Sequence, residues 1–504
     1  MATTAVSEPG RERAQWRETL LWSAALVVGA TAVALWGPGA AYAALALAGA
    51  ATLLLVLLRP AWCTWLLLGL CVLLREYPVN WKPTGALTVY NLGVEAGATV
   101  YLLDVLMGAA LAGVLLRAWW KREPLGLAPE GVPLVALVAV GPLFLVWGVS
   151  NGAQFGEAAA DYRVFYRGVA LYLLLMTTLR SRRSLLTAGA ILVGGATLRI
   201  LWGTGRYLLG HGESYAPNPG VVLPVPFFEQ ADAQIAALVA VMALAVWLWW
   251  PGRLRQRATL TGLALLAVGV FATTTSLRRA AWLTLAVGCV VVVGMAWRQR
   301  RTWLRALLAL LVLAAAGGYG LVARPSASQD LSLAPVAQRA TSAIEAPQGG
   351  SEALHYGEIA DAWDNVRRHP VLGWGLGHEL LRQRTRVLES RQAASGRLVR
   401  VHNLYLDVMV KMGLVGLGLL LWWIGVSLRR MLRLARHTRG TRLAWLVYGL
   451  TGTWIGWLVA SLGVGLPFTG NRMALLFFAV PALLAGLHYA PDSAPPPEEA
   501  PPPA

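Results

Sequence analysis

Charge is what this chain has least of. Only 13% of its 504 residues are charged and 57% are hydrophobic, whereas soluble domains run to about a quarter charged and about half apolar. The shortage excludes a soluble globular enzyme. It leaves a chain built of apolar runs about 20 residues long, the length that crosses a bilayer. Cysteine is scarcer still: Cys63, Cys71 and Cys289 each lie within an apolar run, so they form neither a disulfide framework nor a metal spacing and read as packing residues. The seven histidines show no His-x-x-x-His or His-Glu-x-x-His pattern, so metal catalysis is not supported and no cofactor is expected. No cleavable signal peptide stands out, and the first apolar run, from about Leu20, reads as a retained helix. No internal repeat is visible. The formal charge of +18 reads as orientation and not as nucleic-acid binding, because Lys and Arg collect in the cytoplasmic loops of polytopic membrane proteins.

What is present is a series of fourteen candidate spans, at about 19–36, 40–58, 61–74, 96–117, 132–149, 163–179, 185–203, 231–250, 259–275, 280–297, 305–322, 403–428, 443–462 and 472–488. The third is short enough to be a half-span. With fourteen crossings, the basic clusters around Arg11, Arg59, Lys121, Arg182, Arg255, Arg300 and Arg433 all fall on one side, taken as cytoplasmic together with both termini. The predicted fold is an all-α polytopic membrane protein of about 12–14 helices. Residues 1–18 form a cytoplasmic N-terminus and 19–322 a transmembrane core. Residues 323–401 form one large periplasmic loop between late helices, 402–488 the C-terminal spans, and 489–504 a Pro- and Glu-rich disordered tail.

The large loop is too long for a plain connection. Its segment from Glu358 to Arg367 puts Ile359, Trp363 and Val366 on one helical face, which would fit a helix lying along the membrane surface. Pro370 ends that helix, and Gly373, Gly375 and Gly377 make a flexible turn. The stretch Gln329 to Gly350 has little pattern.

Positive charge on the outer side departs from the orientation rule. Arg278 and Arg279 stand in a tight turn between two spans whose far ends are both cytoplasmic. Guanidinium is costly at this depth and binds phosphate through a planar fork of donors, so the turn reads as an anion site, with snorkelling to lipid headgroups as the alternative. Arg163 and Arg167 share a helix face at the outer end of a span. Either they join that site or they pair with Asp161 or a headgroup. Arg199 and Arg206 are weaker candidates. Asp104, inside a span, needs a partner or a polar cavity. Asp407 and Lys411 are spaced to pair, and Glu229 and Asp232 either bind a sugar or, as preferred, cap their helix. Of the outer histidines His211, His355, His369, His378 and His402, the last stands apart. It sits at the mouth of a span with Asn403 beside it, where a near-neutral imidazole can take a proton from an attacking hydroxyl. His355 is a second, weaker candidate.

Three stretches together resemble the O-antigen ligase and O-antigen polymerase superfamily of membrane glycosyltransferases. Ser276-Leu277-Arg278-Arg279-Ala280 is similar to the family's Ser-Arg turn. His369-Pro370-Val371-Leu372-Gly373-Trp374-Gly375 is similar to its His-Pro-x-x-Gly-x-Gly segment. His402-Asn403-Leu404-Tyr405-Leu406, followed by Gly413-Leu414-Val415-Gly416, is similar to its His-Asn segment. The resemblance spans roughly residues 230–430. It implies a GT-C type helical fold in the inner membrane and a glycan donor carried on undecaprenyl diphosphate. Transfer would take place on the periplasmic face, to a lipid A core sugar, a protein or a lipid-linked glycan. It also implies His402 as base and Arg278 or Arg279 as the diphosphate holder, with Asn403, Arg163, Arg167 and His355 as further substrate-binding candidates. Two positions depart from the family pattern: His355 replaces an arginine about fifteen residues before Pro370, for which Arg367 or Arg368 could substitute, and Lys411 replaces a glutamate before the Gly-x-x-Gly segment. Ligase-type transfer is the leading expectation and a polymerase joining lipid-linked repeat units the alternative. A transporter of lipid-linked sugars would suit the many spans, but the unusual residues cluster at the outer face and not at the midplane where transporters bind.

Overall fold

The computed structural model describes residues 38–74, 93–96, 98–122, 125, 129–218, 221–249, 255–296, 351–379, 401–439, 441, 443–465 and 471–489. The expected spans at 19–36 and 305–322, the stretch 329–350, the N-terminus and the tail lie outside these residues. Among the described residues there are thirteen α-helices. The first five are α1 (Pro38–Leu58), α2 (Pro60–Leu73), α3 (Leu102–Lys121), α4 (Val132–Ser150) and α5 (Phe155–Thr178). Then come α6 (Arg182–Leu208), α7 (Gln230–Trp249), α8 (Arg255–Thr275), α9 (Arg279–Ala296) and the loop helix α10 (Ser351–Arg368). The chain closes with α11 (Leu404–His437), α12 (Ala444–Ala460) and α13 (Asn471–Tyr489). The remaining twelve expected spans each coincide with a helix, so the protein is an all-α polytopic membrane protein.

Two short antiparallel hairpins were not foreseen: β1 (Gly93–Ala96) with β2 (Ala98–Tyr101), and β3 (Glu213–Asn218) with β4 (Val221–Val225). The second takes up the proline-rich stretch before α7.

Five helical stretches are long and apolar enough to cross a membrane by themselves: Leu102–Lys121, Pro129–Ser150, Arg182–Leu208, Gln230–Trp249 and Leu404–His437. Others are shorter apolar helices, such as α2 and α12. Helix α5 carries Glu157, Asp161, Arg163 and Arg167 in its first half. Helix α7 sits at the centre, with every residue from Ala231 to Leu244 buried. Close approach around it relies on glycine. A Cβ on Gly269 of α8 would lie 2.8 Å from the Ala240 nitrogen, and one on Gly456 of α12 would lie 2.6 Å from the Thr284 carbonyl of α9.

Helix α11 is broken. Gly413 has φ 60° and ψ −159° inside it, a conformation open to glycine and strained for other residues. The break frees the carbonyls of Val410 and Lys411 and the N–H groups of Leu414 and Val415, and the strip after α10 supplies their partners. Trp374 N–H donates to Val410 (2.8 Å) and Gly375 N–H to Lys411 (2.9 Å), while Leu414 N–H donates to Pro370 (2.8 Å) and Val415 N–H to Val371 (3.3 Å). The same strip reaches α4: Leu376 N–H donates to the Phe144 carbonyl at 3.0 Å, and Trp147 Nε1 donates to the Gly373 carbonyl at 3.1 Å. Pro142 in α4 cannot donate to the Val138 carbonyl, and the Tyr162 hydroxyl of α5 donates to it instead, at 3.4 Å.

The glycines of this strip are therefore a packing requirement as well as a turn. Gly375 has φ 94°, and a Cβ there would fall 2.1 Å from the Gly148 nitrogen. Gly375→Ala is expected to lower the thermal unfolding midpoint of the detergent-solubilised protein by several degrees. Gly425→Ala, where a Cβ on α11 meets nothing within 4 Å, is expected to leave it unchanged or raise it.

Candidate active site

His402 and Asn403 form the turn that begins α11. Asn403 is the N-cap: its side-chain oxygen accepts from Tyr405 N–H and Leu406 N–H, both at 3.0 Å, and its Nδ2 donates to the Leu462 carbonyl at 2.7 Å. Leu404 N–H donates to the Ser461 carbonyl at 3.0 Å. The His-Asn turn is thus seated on the turn that follows α12.

Helix α12 ties the same place to the arginine turn. It runs antiparallel to α9, with the Thr284 hydroxyl donating to the Gly456 carbonyl at 3.4 Å and Gly288 packed on Gly452. That register carries the start of α9 toward the end of α12. Between α8 and α9, Leu277 is buried with φ 59°, a strained conformation for a branched side chain. The turn is held by the Ser276 hydroxyl, which donates to the Thr273 carbonyl at 2.7 Å, and by Trp282 Nε1, which donates to that carbonyl at 3.0 Å. Arg278 and Arg279 are half-buried. Arg278 donates from Nη2 to the Phe228 carbonyl and lies over the Phe228 ring, 5.5 Å from its centroid.

The loop helix α10 supplies the partner of His402. Glu358 Oε2 lies 2.7 Å from His402 Nδ1. The carboxylate is 6% exposed and the imidazole 46%. Hydrogen bonding to Glu358 raises the His402 pKa above its ordinary value of 6.5, against the lowering effect of burial, and the charges of Glu358 and Asp407 add to the rise. Of the expected face Ile359, Trp363 and Val366, only Val366 is buried. Glu358, Asp361, Ala362 and Asn365 turn inward instead, because these polar groups have partners there. Glu358, for example, meets His402, and the backbone carbonyl of Asn365 accepts from Trp374 Nε1 at 3.0 Å. Sequence reasoning passed over Glu358. The signal was the acidic and amide stripe Glu358, Asp361, Asn365 at helical spacing.

His369 and His378 flank Trp374, at ring separations of 3.9 Å and 4.4 Å. Burial, reinforced by His369, pushes His378 down to about 4. His355 lies on α10, and its side chain is outside the described residues. Arg367 is at the exposed surface of α10, 3.6 Å from Asp364.

Other expected residues have partners different from those foreseen. Arg163 and Arg167 do not meet Asp161. Both pair with Asp104, at 3.2 Å and 2.6 Å, and both lie over the Tyr101 ring. This arrangement supplies the partner that Asp104 needs. Asp161 instead faces Lys411, which bridges it to Asp407 with both contacts at 3.0 Å. The pairing of Asp407 with Lys411 is as expected. Asp232 takes Arg199 through two hydrogen bonds, at 3.0 Å and 2.8 Å, and also Arg472, which lies 3.2 Å from Glu229. Arg472, fully buried at the start of α13, escaped the sequence reading. Arg206 faces Glu213 at 3.7 Å. Among the described residues no group of three or more His, Cys, Asp or Glu is arranged to hold a metal ion.

Residues 264–421 match the sequence model of the family described as O-antigen ligase. No curated protein matches the chain. The matched segment contains the arginine turn, helix α10 with Glu358, the His-Pro strip, His402 and the break at Gly413. It supports a ligase- or polymerase-type glycosyltransferase in a multi-pass membrane protein. Over that segment the chain is related to the O-antigen ligase and polymerase superfamily, as its three motifs indicate.

Proposed function

We propose that this protein transfers a glycan from undecaprenyl diphosphate to an acceptor hydroxyl on the periplasmic face of the inner membrane, as an O-antigen ligase does. One observation supports the reading: the His402 turn bonds to the turn after α12, and α9 packs antiparallel on α12 through Thr284 and Gly456, a register that runs Arg278 and Arg279 toward the same end of α12. His402 takes the proton of the acceptor hydroxyl, and the oxygen attacks the anomeric carbon. The diphosphate leaves with the bonding electron pair, and Arg278 and Arg279 stabilise the charge that grows on it. One displacement inverts the anomeric centre. The reaction needs no nucleotide, because the lipid diphosphate is already a good leaving group, and no metal, because the arginines answer the charge. Asn403 serves by capping α11 and so fixing the turn that carries His402. Arg163 and Arg167 are engaged by Asp104 and act on the lipid-linked donor, if at all, through that buried group.

Purified protein incubated with lipid-linked donor and acceptor is expected to form a new glycosidic bond, which a transporter would not do. His402→Ala is expected to reduce that transfer by about 10²–10⁴-fold at unchanged expression, and near-normal transfer by this variant would remove the base assignment. The double variant Arg278→Ala with Arg279→Ala is expected to lower kcat by on the order of 10²-fold or more, read by single-turnover kinetics at saturating donor. Glycan analysis of a deletion strain separates the two reaction types. A strain lacking a ligase accumulates long lipid-linked polymer, and one lacking a polymerase accumulates single repeats.

A further inference from the structure

We infer that Glu358, carried by the loop helix α10, is the positioning residue of the catalytic base: it holds His402 by Nδ1 and leaves Nε2 as the atom that receives the acceptor's proton. The inference rests on the reading of His402 as base and adds to it a partner from a different part of the chain, 44 residues away.

The geometry makes the roles asymmetric. An ionised carboxylate only accepts, so at 2.7 Å from Glu358 Oε2 the Nδ1 atom of His402 carries the hydrogen and donates it. In a neutral imidazole the other nitrogen is then a bare acceptor. Glu358 is buried while His402 is nearly half exposed, so the fixed end of the pair is inside and the reactive end faces out. The titratable groups that raise the His402 pKa are Glu358 from α10 and Asp407 from its own helix. The turn Ser461 to Gly465, packed against it, carries none.

Glu358 is held in turn by two contacts of α10. Ala362 and Val366 pack with Val401, Met409 and Val410 in a small separate core, with Trp374, Leu406 and Leu417 around it. Trp374 ties the Asn365 carbonyl of α10 to the strip that fills the break in α11. The carboxylate and the imidazole thus sit on two elements locked to each other a few residues away.

The step balances as follows. The acceptor O–H bond breaks and its proton passes to Nε2. The freed electron pair forms the new bond to the anomeric carbon, and the bond to the diphosphate oxygen breaks with its pair remaining on that oxygen. The resulting imidazolium carries hydrogen on both nitrogens and is stabilised by Glu358 until it returns a proton to solvent.

A purely structural ion pair would predict lost stability with unchanged chemistry in the folded fraction, and the test separates the two cases. In reconstituted full-length protein, Glu358→Gln is expected to lower kcat on the order of tenfold or more with little change in KM. The raised His402 pKa means that the base is protonated and inactive below it. Losing the carboxylate therefore moves the acid limb of the kcat/KM profile to lower pH. Carbethoxylation of His402 by diethylpyrocarbonate, followed by mass spectrometry without substrate, is expected to show the same downward shift. Glu358→Asp, which keeps the charge, is expected to hold the acid limb near its original pH and to recover part of kcat, and it serves also where the Gln variant folds poorly. Wild-type kcat and an unmoved acid limb and labelling midpoint in both variants would overturn the proposal. If His402→Ala itself retains transfer while Glu358→Gln shifts the labelling, the pair exists and the base assignment is what fails.

Discussion

The break in α11 at Gly413 is the constraint on which the outer end of the molecule depends. An interrupted helix leaves carbonyl and N–H groups without intrahelical partners, and in a membrane protein such groups must be satisfied by neighbouring protein. Here the strip from Pro370 to Leu376 does so on both sides of the break and then bonds onward to α4. Both partners need glycine at the crossing. A Cβ on Gly413 would fall 2.1 Å from the Val371 carbonyl, and one on Gly373 would fall 2.6 Å from that of Val410. Two motifs separated by the loop are therefore halves of one backbone joint. Because α10 runs directly into that strip, the joint also fixes where Glu358 stands relative to His402.

Buried charge is arranged around the same end in closed groups. Asp104 takes Arg163 and Arg167, Asp232 takes Arg199 and Arg472, and Lys411 joins Asp161 to Asp407. Removing one member of such a pair typically costs about 3–5 kcal/mol, because the partner charge stays buried. These groups also brace the fold across long sequence distances. Asp161 accepts Gly377 N–H at 2.8 Å, and Asp407 accepts Val401 N–H at 3.0 Å, so the Lys411 cluster clamps both ends of the strip-and-helix joint. Arginines at the outer face thus divide by environment. Those on α5, α6 and α13 face carboxylates of neighbouring helices, and Arg278 donates to a backbone carbonyl from a strained turn.

The helical spans were legible in the sequence because hydropathy reports directly on the length and apolar character of a helix. The joint was not legible. Gly413 and Gly373 stand out as parts of two separate motifs, and only three-dimensional proximity shows that they must meet. The partners of Arg163 and Arg167 stayed open for a related reason. Asp161 and Arg163 are neighbours in sequence, but α5 turns them to different faces, so Arg163 meets Asp104 on α3 and Asp161 meets Lys411 on α11. On α10 the apolar periodicity of Ile359 and Trp363 favoured that face, whereas the specific bonds of Glu358 and Asn365 turned the polar face inward. The sequence does contain that stripe, but a carboxylate among alanines signals a site only once an imidazole is found opposite it.

The departure at Lys411 can be weighed on the same physical grounds. Where relatives of this family often carry glutamate, this chain buries an ammonium whose two contacts, Asp161 and Asp407, are each 3.0 Å away. A glutamate at 411 with these neighbours would bring three carboxylates together away from water, which low dielectric makes prohibitive unless protons are taken up. Residues 161, 407 and 411 therefore form one unit whose charges must change together. With Asp161 and Asp407 in place, lysine is the residue that lets α11 continue to its break and the Gly375 and Gly377 strip close over it. The substitution is compensated within the fold, and it leaves the seat of His402, one turn before Asp407, intact.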